Sequence, residues 1–315
     1  MEGKPIIKKM VDITHKKSTL RIATAQATVK VSKPETIIAI ENNTVPKGNV
    51  FAMSKAAGLL GVKKTPELLP DCHPIPIEFT EINYTIDGLN IIIDFTVKTI
   101  YKTGVEVEAM HGASIVALNL YDMLKPIDKG IEIHHIKLIQ KRGGKSDYNK
   151  DLGQSLSAVV IVCSDTIAAV KKQDAAGKTI INKLEALAVN ILDYLVIPDE
   201  AALIQEKTKM YVSRGVNLII FTGGTGLSPR DVTPEALKPL LHRSIPGIEE
   251  TIRSYGQQRT LYAMLSRSVA GMIEDTLVLA LPGSTKGAAE SIEAIFPEVL
   301  HLFKVAQGSR HEENK

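Results

Sequence analysis

The sequence predicts two domains of different fold class, an α+β domain in residues 1–150 and an α/β domain in residues 151–315. Three observations lead to this prediction. The chain has 315 residues, which is enough for two domains of ordinary size. Residues 141–155 are polar, charged and glycine-containing, as linkers are. Regular alternation of strand and helix patterns begins only after this segment.

The first half has a hairpin pattern without regular strand–helix alternation. Asp87-Gly88 separates two runs of alternating apolar and polar residues, and such a pair strongly favours a tight hairpin turn. The pattern predicts a ferredoxin-like antiparallel sheet with helices on one face. Strands are predicted over 23–32, 75–86, 89–100 and 131–140, and helices over 49–60 and 105–124.

The second half alternates between strand and helix patterns. Repeated units of this kind predict a three-layer domain, in which helices cover both faces of a mostly parallel sheet. Ligands of such sheets bind outside the carboxyl ends of the strands. Strands are predicted over 157–163, 191–197, 217–222 and 276–281, and helices over 174–188, 200–213, 234–241, 247–258 and 286–306.

The composition excludes several classes of protein. Hydrophobic residues make up 44% of the chain and charged residues 23%, which excludes a wholly disordered protein. Aromatic residues are only 4%, so stacking on single-stranded nucleic acid is not expected. The net charge is +3 with the basic excess in the first half, which suits an anionic small molecule better than DNA.

The cysteines and the apolar runs indicate the compartment. Cys72 and Cys163 are too few for a disulfide framework, so a reducing compartment is the simplest interpretation. The first ten residues lack the apolar stretch of a secretory signal, and no apolar run reaches the ~20 residues of a membrane helix. We therefore expect a cytoplasmic protein with no membrane partner and no nucleic-acid partner.

Three predicted strands of the second half end in turns that suit a nucleotide, at residues 197–200, 222–226 and 281–284. The loop Thr222-Gly223-Gly224-Thr225-Gly226 lets backbone N–H groups approach an anion, although a simple tight turn is the alternative. Asp231 follows this loop, and Thr233 is expected to be the N-cap of the next helix. Asp199 ends a second strand, where capping a helix is the alternative role. Such carboxylates can hold Mg²⁺, which bridges phosphate oxygens.

Residues 157–305 resemble the molybdopterin adenylyltransferases, the MogA/MoaB family. The motifs that carry the resemblance are VCSDT (162–166), PDE (198–200), TGGTGLSPRDVTPEAL (222–237), PGIEE (246–250), MLSRSVAG (264–271) and LPGS (281–284). The resemblance implies transfer of AMP from Mg-ATP to molybdopterin. It implies that Asp199 and Asp231 are catalytic and bind Mg²⁺, and that the 222–226 loop cradles phosphates. Ser266 and the turn Pro282-Gly283-Ser284 would line the pterin pocket.

Several polar residues of the first half are candidates for function. Asp122 and Lys125 lie three residues apart, on one face of the predicted long helix, where an ordinary surface ion pair is the alternative. Lys47 precedes another helix beside a turn. His73 follows Cys72 directly, which makes a poor metal site because the side chains of neighbouring residues diverge.

Residues 10–147 resemble the cyclic pyranopterin monophosphate synthases, the MoaC family. The carriers are MVDI (10–13), KGNVFAMSKAAG (47–58), LLPDCHPIPI (68–77), KTGVEVEAM (102–110), YDMLK (121–125) and GGKS (143–146). Two positions depart from the family pattern: Asp71 stands where Leu is common, and Val107 where Met is common. The resemblance implies rearrangement of a cyclic dihydro-GTP into cyclic pyranopterin monophosphate with loss of pyrophosphate, without a metal cofactor.

The same resemblance implies roles for individual residues. Asp122 and Lys125 would transfer protons, and Lys47 would be catalytic or bind phosphate. We expect neighbouring cations to lower the pKa of a lysine in this set enough for acid–base work near neutrality. The expected substrate-binding residues are Arg21, Asp71, Cys72, His73, Val107, Glu108 and Lys145.

Together the two halves predict a bifunctional enzyme of molybdenum cofactor synthesis. One alternative is an active first half beside a non-catalytic molybdopterin-binding module, and another is a nucleotide-binding regulator without chemistry. Threefold symmetry is common to both families, so the expected assembly is a homo-oligomer, either a trimer or a hexamer.

Overall fold

The structure is a computed structural model that describes residues 10–144, 156–168 and 173–306. The chain divides into two compact units, residues 1–149 and 150–315. Each unit contains its own hydrophobic core. Over the described residues, no helix combines the length and the apolar character that crossing a membrane requires.

The first unit is built on a four-stranded antiparallel sheet. The sheet order is β2-β3-β1-β4, which confirms the predicted ferredoxin-like α+β fold. The strands are β1 (Thr19–Lys30), β2 (Phe79–Asp87), β3 (Asn90–Tyr101) and β4 (Glu132–Arg142), and the helices are α1 (Pro34–Glu41), α2 (Val50–Lys63), α3 (Thr65–Leu68) and α4 (Glu106–Leu124).

The core of this unit lies between the sheet and the helices α2 and α4. Alternation along β1 and β3 sends every second side chain to the buried face, Ala25 and Phe95 among them. Gly58 of α2 and Gly112 of α4 face the Phe95 ring so closely that a Cβ at either position would overlap it. Because both helices approach the sheet at these glycines, α4 has a fixed position over β1 and β3.

A buried carboxylate connects two turns of the first unit. Asp128 is 2% exposed and accepts hydrogen bonds from the Ser32 N–H at 2.8 Å, the Thr36 hydroxyl at 3.0 Å and the Gly130 N–H at 3.0 Å, and another from the Ser32 hydroxyl. Burial raises the pKa of Asp128, but these donors outweigh burial and leave the pKa below 3.8. The charged carboxylate therefore ties the β1–α1 turn to the α4–β4 turn.

The second unit contains a six-stranded sheet of order β6-β5-β7-β10-β9-β8. The first four strands are parallel to one another. Strand β9 pairs antiparallel with β10, and β8 pairs antiparallel with β9. Its strands are β5 (Ser157–Cys163), β6 (Asn190–Ile197), β7 (Leu218–Thr222), β8 (Arg243–Ser244), β9 (Val269–Ile273) and β10 (Thr276–Leu281). Its helices are α5 (Asp165–Ala168), α6 (Ala176–Glu185), α7 (Ala201–Ser213), α8 (Thr233–Leu237), α9 (Pro246–Gln257), α10 (Thr285–Ile295) and α11 (Leu302–Ala306).

Helices cover both faces of this sheet, which confirms the predicted three-layer, mostly parallel α/β fold. Helices α6, α9 and α10 pack on one face, and α7 and α8 on the other. Strands β5, β7 and β10 are buried on both faces, which explains their continuous apolar sequences. Because β5 has β6 on one side and β7 on the other, the chain reverses its direction of winding there, where such folds bind ligands.

Three segments differ from their sequence-based predictions. The predicted helix over 286–306 is interrupted, because α10 ends at Ile295 and Pro297 has no N–H to continue the helical hydrogen bonds. The strand predicted over 75–86 begins only at Phe79. The helix predicted over 234–241 ends at Leu237 and continues as a short 3-10 turn.

We predict that Asp128→Ala destabilises the first unit by about 2–4 kcal/mol, because it leaves several buried donors without an acceptor. Urea unfolding of the full chain measures this loss, and Glu81→Ala on the exposed side of β2 is the control. Since the pKa of folded Asp128 is lowered, its contribution is complete above the unfolded pKa of about 3.9 and disappears as the pH falls through the folded pKa. Equal stability of Asp128→Ala and the control would contradict this role.

Candidate functional sites

Four strand ends of the second unit meet at one edge of its sheet. Parallel pairing brings the carboxyl ends of β5, β6, β7 and β10 together. The Ser164 N–H donates to the Ile197 carbonyl at 2.9 Å, and the Thr222 hydroxyl donates to the Pro282 carbonyl at 2.8 Å. The first bond joins the ends of β5 and β6, and the second joins the ends of β7 and β10. The turns after β6, β7 and β10 are the three that the sequence analysis singled out.

The glycine loop after β7 needs glycine at two positions. Gly223 has φ +101° and Gly224 has φ +61°, both in the left-handed region. A Cβ on Gly223 would overlap the Cys163 carbonyl oxygen at the end of β5. Thr233 connects the start of α8 to the loop, since its hydroxyl donates to the Gly223 carbonyl at 3.1 Å. The prediction of Thr233 as the N-cap of α8 is wrong, because that position belongs to Val232.

Asp199 faces the glycine loop from the end of β6. Its Oδ1 is buried and has no hydrogen-bond partner among the described residues, and a Cβ on Gly224 would lie 2.6 Å from it. Burial raises the pKa of Asp199, and the negative charges of Asp165 and Asp231 raise it further. The alternative role as a helix cap is wrong, because α7 begins after Glu200 without a side-chain cap.

Asp231 and Asp165 complete a group of three carboxylates. Asp231 accepts from the Ser228 N–H at 2.9 Å, and a Cβ on Gly226 would lie 2.8 Å from its Oδ2. Asp165 accepts from the Asp199 N–H at 3.2 Å and pairs with Arg230. Across the described ranges, no three His, Cys, Asp or Glu side chains form a cage for a metal ion. The donor set suits Mg²⁺, which proteins commonly hold through one or two carboxylates together with substrate phosphates.

A cavity of about 430 Å³ opens beside the glycine loop. Six residues that the resemblance assigned to substrate binding line it, namely Thr225, Gly226, Ser266, Pro282, Gly283 and Ser284. The sequence reasoning missed Arg253 and Lys286, which bring positive charge to the wall. Lys286 could have been found, because it lies in the first turn of a helix whose N-cap is Ser284. Arg253 has no local signal, since only the packing of α9 brings it here.

In the first unit, Asp122 pairs with two lysines. Its Oδ2 lies 2.6 Å from the Lys47 Nζ, and its Oδ1 lies 2.8 Å from the Lys125 Nζ. The hydrogen bonds from Lys125 and Lys47 lower the pKa of Asp122 to about 2. The hydrogen bond to Asp122 raises the pKa of Lys125, so the expected lowering of a lysine pKa is wrong for this residue. The group is therefore an Asp122 carboxylate held between the side chains of Lys47 and Lys125.

A second group lies at the other end of α4. Glu108 is 2% exposed, and burial raises its pKa while nearby His73 opposes the rise. Burial also raises the pKa of the Cys72 thiol, followed by the charges of Glu108 and Asp71, which makes this thiol a weak nucleophile. His73 Nε2 lies 2.8 Å from the carbonyl oxygen of Val11.

Four further residues of the first unit were predicted to bind substrate, namely Arg21, Asp71, Val107 and Lys145. Arg21 donates from Nε to the Tyr101 carbonyl at 3.1 Å, at the strand end that leads toward α4. Asp71 and Val107 are exposed. Lys145 lies outside the described residues.

Helix α4 separates the two groups of the first unit. Glu108 and Asp122 are both on this helix, so the axial distance between them is about 21 Å at 1.5 Å per residue. The structure thus brings the predicted residues together as two sets rather than one. The two sets therefore lie near opposite ends of α4.

Two family models match the chain. The MoaC family matches residues 10–144, and a probable molybdopterin binding domain matches residues 159–301.

Relatives of similar length exist in other organisms. A molybdenum cofactor biosynthesis bifunctional protein of Chlorobaculum tepidum is 37% identical over 303 residues, which are 96% of this chain and 96% of that protein. A protein of the same name from Synechococcus elongatus is 37% identical over 315 residues, covering 96% of this chain and 98% of the relative. The cyclic pyranopterin monophosphate synthase of Aquifex aeolicus is 32% identical over 274 residues, covering 87% and 90% of the two chains.

We predict that Gly223→Ala destabilises the second unit by about 2–3 kcal/mol, because the new Cβ meets the Cys163 carbonyl and the backbone has a positive φ. Gly247→Ala is the matched control, since a Cβ there meets nothing within 4 Å and φ is not positive. Thermal unfolding of both variants measures the difference. A Gly223→Ala protein as stable as the Gly247→Ala protein would contradict the tight packing of this loop.

Proposed function

The chain belongs to the family of bifunctional molybdenum cofactor biosynthesis proteins, and from this premise we propose that it catalyses two separate reactions, one in each unit. The first unit converts a cyclic dihydro-GTP into cyclic pyranopterin monophosphate and pyrophosphate. The second unit transfers AMP from Mg-ATP to molybdopterin. The observation that carries the second assignment is the buried Oδ1 of Asp199 beside the glycine loop, which accepts no hydrogen bond from any residue that the structure describes.

In the second unit, the protein positions two anionic reactants against each other. Backbone N–H groups of residues 224–226 hold the ATP phosphates, while the Gly223 N–H donates to the Leu281 carbonyl at 3.1 Å. The turn at Ser284 with Lys286 holds an anionic group of the pterin. Asp199 and Asp231 hold the Mg²⁺ that accompanies ATP. When bound, this ion supplies positive charge that offsets the negative charge of the phosphates. Positioning and charge neutralisation are the main demands of such a transfer, so no strong protein nucleophile is required.

In the first unit, the charged group around Asp122 serves proton transfer and phosphate binding. The Asp122 carboxylate is the proton acceptor, and Lys125 is the proton donor. Their pKa shifts keep Asp122 deprotonated and Lys125 protonated, which are the forms these roles need, although the same shifts weaken Asp122 as a base and Lys125 as an acid. Lys47 supplies a second ammonium ion close to the triphosphate. Glu108, whose neutral form burial favours, hydrogen-bonds the ring of the substrate.

A complete site of the first unit requires two copies of the chain. The Asp122 group and the Glu108 group lie about 21 Å apart along α4, so one copy contributes Lys47, Asp122 and Lys125 while another contributes His73 and Glu108. A homo-oligomer with threefold symmetry, a trimer or a hexamer, provides such an arrangement.

The second unit as a non-catalytic molybdopterin-binding module is the main competing function. The cavity alone would serve such a module equally well. Binding without transfer gives no reason to bury an unpaired carboxylate oxygen, which costs about 1–3 kcal/mol. The Asp199 geometry therefore favours catalysis, and the competing function becomes an outcome of the first test below.

We predict that Asp231→Asn lowers the rate of AMP transfer by at least about 100-fold and leaves pyranopterin formation within about twofold. Asp122→Asn should do the reverse, because the two sites share no residue. Each variant is assayed for both products in the full chain, and Asp275→Asn in the exposed β9–β10 turn is the control.

Two results would count against this assignment. Loss of both reactions in one folded variant would contradict two independent sites. Molybdopterin binding without any AMP transfer by the unaltered chain would establish the competing function.

We predict that two inactive variants regain activity when they assemble together. Asp122→Asn inactivates the set that contains Asp122, and His73→Ala inactivates the set that contains Glu108. Each shared site takes one set from each of two copies, so random mixing of the variants leaves both sets intact in about a quarter of the sites. The variants are co-expressed with different tags and purified through both, and pyranopterin formation is then measured. A verified mixed oligomer that stays inactive would contradict a site shared between copies.

A further inference from the structure

Arg267 makes three hydrogen bonds with the segment from the glycine loop to Asp231 and one ion pair with helix α8. Its Nε donates to the Gly226 carbonyl at 2.8 Å, and its Nη2 donates to the Asp231 carbonyl at 2.6 Å. Its backbone N–H donates to the Thr225 carbonyl at 3.3 Å, and its Nη1 pairs with Glu235 of α8. One side chain thus contacts both ends of the turn between Gly226 and Asp231.

These bonds determine which way the backbone groups of the loop point. A loop holds an anion only if its N–H groups face the ligand, so its carbonyl groups need donors elsewhere. The backbone N–H and the guanidinium of Arg267 donate to the carbonyls of Thr225, Gly226 and Asp231, so these carbonyls have donors within the protein. The planar guanidinium presents donors in a fixed fork, which sets the spacing between the Gly226 and Asp231 carbonyls.

The position of Arg267 in the chain connects this loop to the cavity. Ser266 lines the cavity, and Ser268, which is 2% exposed, leads into β9. The two serine hydroxyls lie 3.0 Å apart on either side of Arg267. A displacement of Arg267 would therefore change the positions of the loop carbonyls and of Ser266 in the cavity wall.

We propose that Arg267 is the positioning residue that holds Asp231 and the glycine loop in register with the cavity. The proposal rests on the proposed AMP transfer in the second unit. Arg267 is not among the residues that line the cavity, and its guanidinium contacts are to the loop and to Glu235. It acts through Asp231 rather than on the substrate.

Two substitutions at this position and one at its ionic partner separate the contributions. Arg267→Ala removes the bonds to both carbonyls, and Arg267→Lys can replace at most one of them at a time. Glu235→Gln removes the ion pair and leaves the carbonyl bonds, and it is the matched control. Pyranopterin formation by the first unit reports in each variant that the chain is folded and active.

The expected kinetic result is a loss of kcat rather than of affinity. We expect Arg267→Ala to lower kcat for AMP transfer by about 100-fold, and Arg267→Lys by less. The KM for molybdopterin and the activity of Glu235→Gln should stay within about threefold of the unaltered protein. An Arg267→Ala protein with kcat within threefold, or a Glu235→Gln protein as impaired as Arg267→Ala, would overturn the proposal.

A second measurement does not depend on activity. Amide hydrogen exchange of residues 223–233 should accelerate in Arg267→Ala and remain unchanged in Glu235→Gln, because only the former frees the loop carbonyls. Unchanged exchange in Arg267→Ala would overturn the proposal. If the unaltered chain produces no adenylylated molybdopterin, the proposed function fails, and the exchange result alone decides whether Arg267 holds the loop.

Discussion

The parallel pairing of β5 with β6 and β7, and of β7 with β10, brings four strand ends to one edge of the second sheet. At this edge Gly223 lies against the end of β5 and Gly224 lies against Asp199, so a side chain on either glycine would push the strand ends apart. The close approach buries the Asp199 Oδ1, which has no hydrogen-bond partner within the part of the chain that the structure describes. Such an arrangement is costly in the free protein, and the Mg²⁺ proposed for this site would offset that cost.

Helix α4 imposes a comparable constraint on the first unit. Gly112 lets it approach Phe95 of β3 closely, and its length separates Glu108 from Asp122. The helix therefore keeps the buried carboxyl apart from the charged group with its two lysines. The proposed site uses both groups and therefore takes them from two copies of the chain, so the proposal makes assembly a condition of catalysis.

Local chemistry explains how much of this could be predicted from the sequence. The Asp87-Gly88 turn and the period-two alternation in β1 and β3 identified the first sheet, and the glycine loop indicated the edge of the second. Strand β9 was missed because it is a short apolar run whose partner β10 defines it. The direction of the pKa shift of Lys125 could not be predicted, because it depends on whether a carboxylate or a cation lies nearest to the amine in the folded chain. Arg267 lies in the MLSRSVAG motif, but its contacts could not be predicted because its side-chain partners lie more than 30 residues away in sequence.

The most direct test of two reactions in one chain is the fate of the α-phosphate of ATP in the second unit. The unaltered protein is incubated with molybdopterin, Mg²⁺ and ATP labelled at the α-phosphate, and the pterin product is separated and counted. The account predicts that the label enters the pterin product, that pyrophosphate is released in equal amount, and that both stop when Mg²⁺ is removed. Label found only in unreacted ATP, from protein that binds molybdopterin and forms cyclic pyranopterin monophosphate, would contradict it.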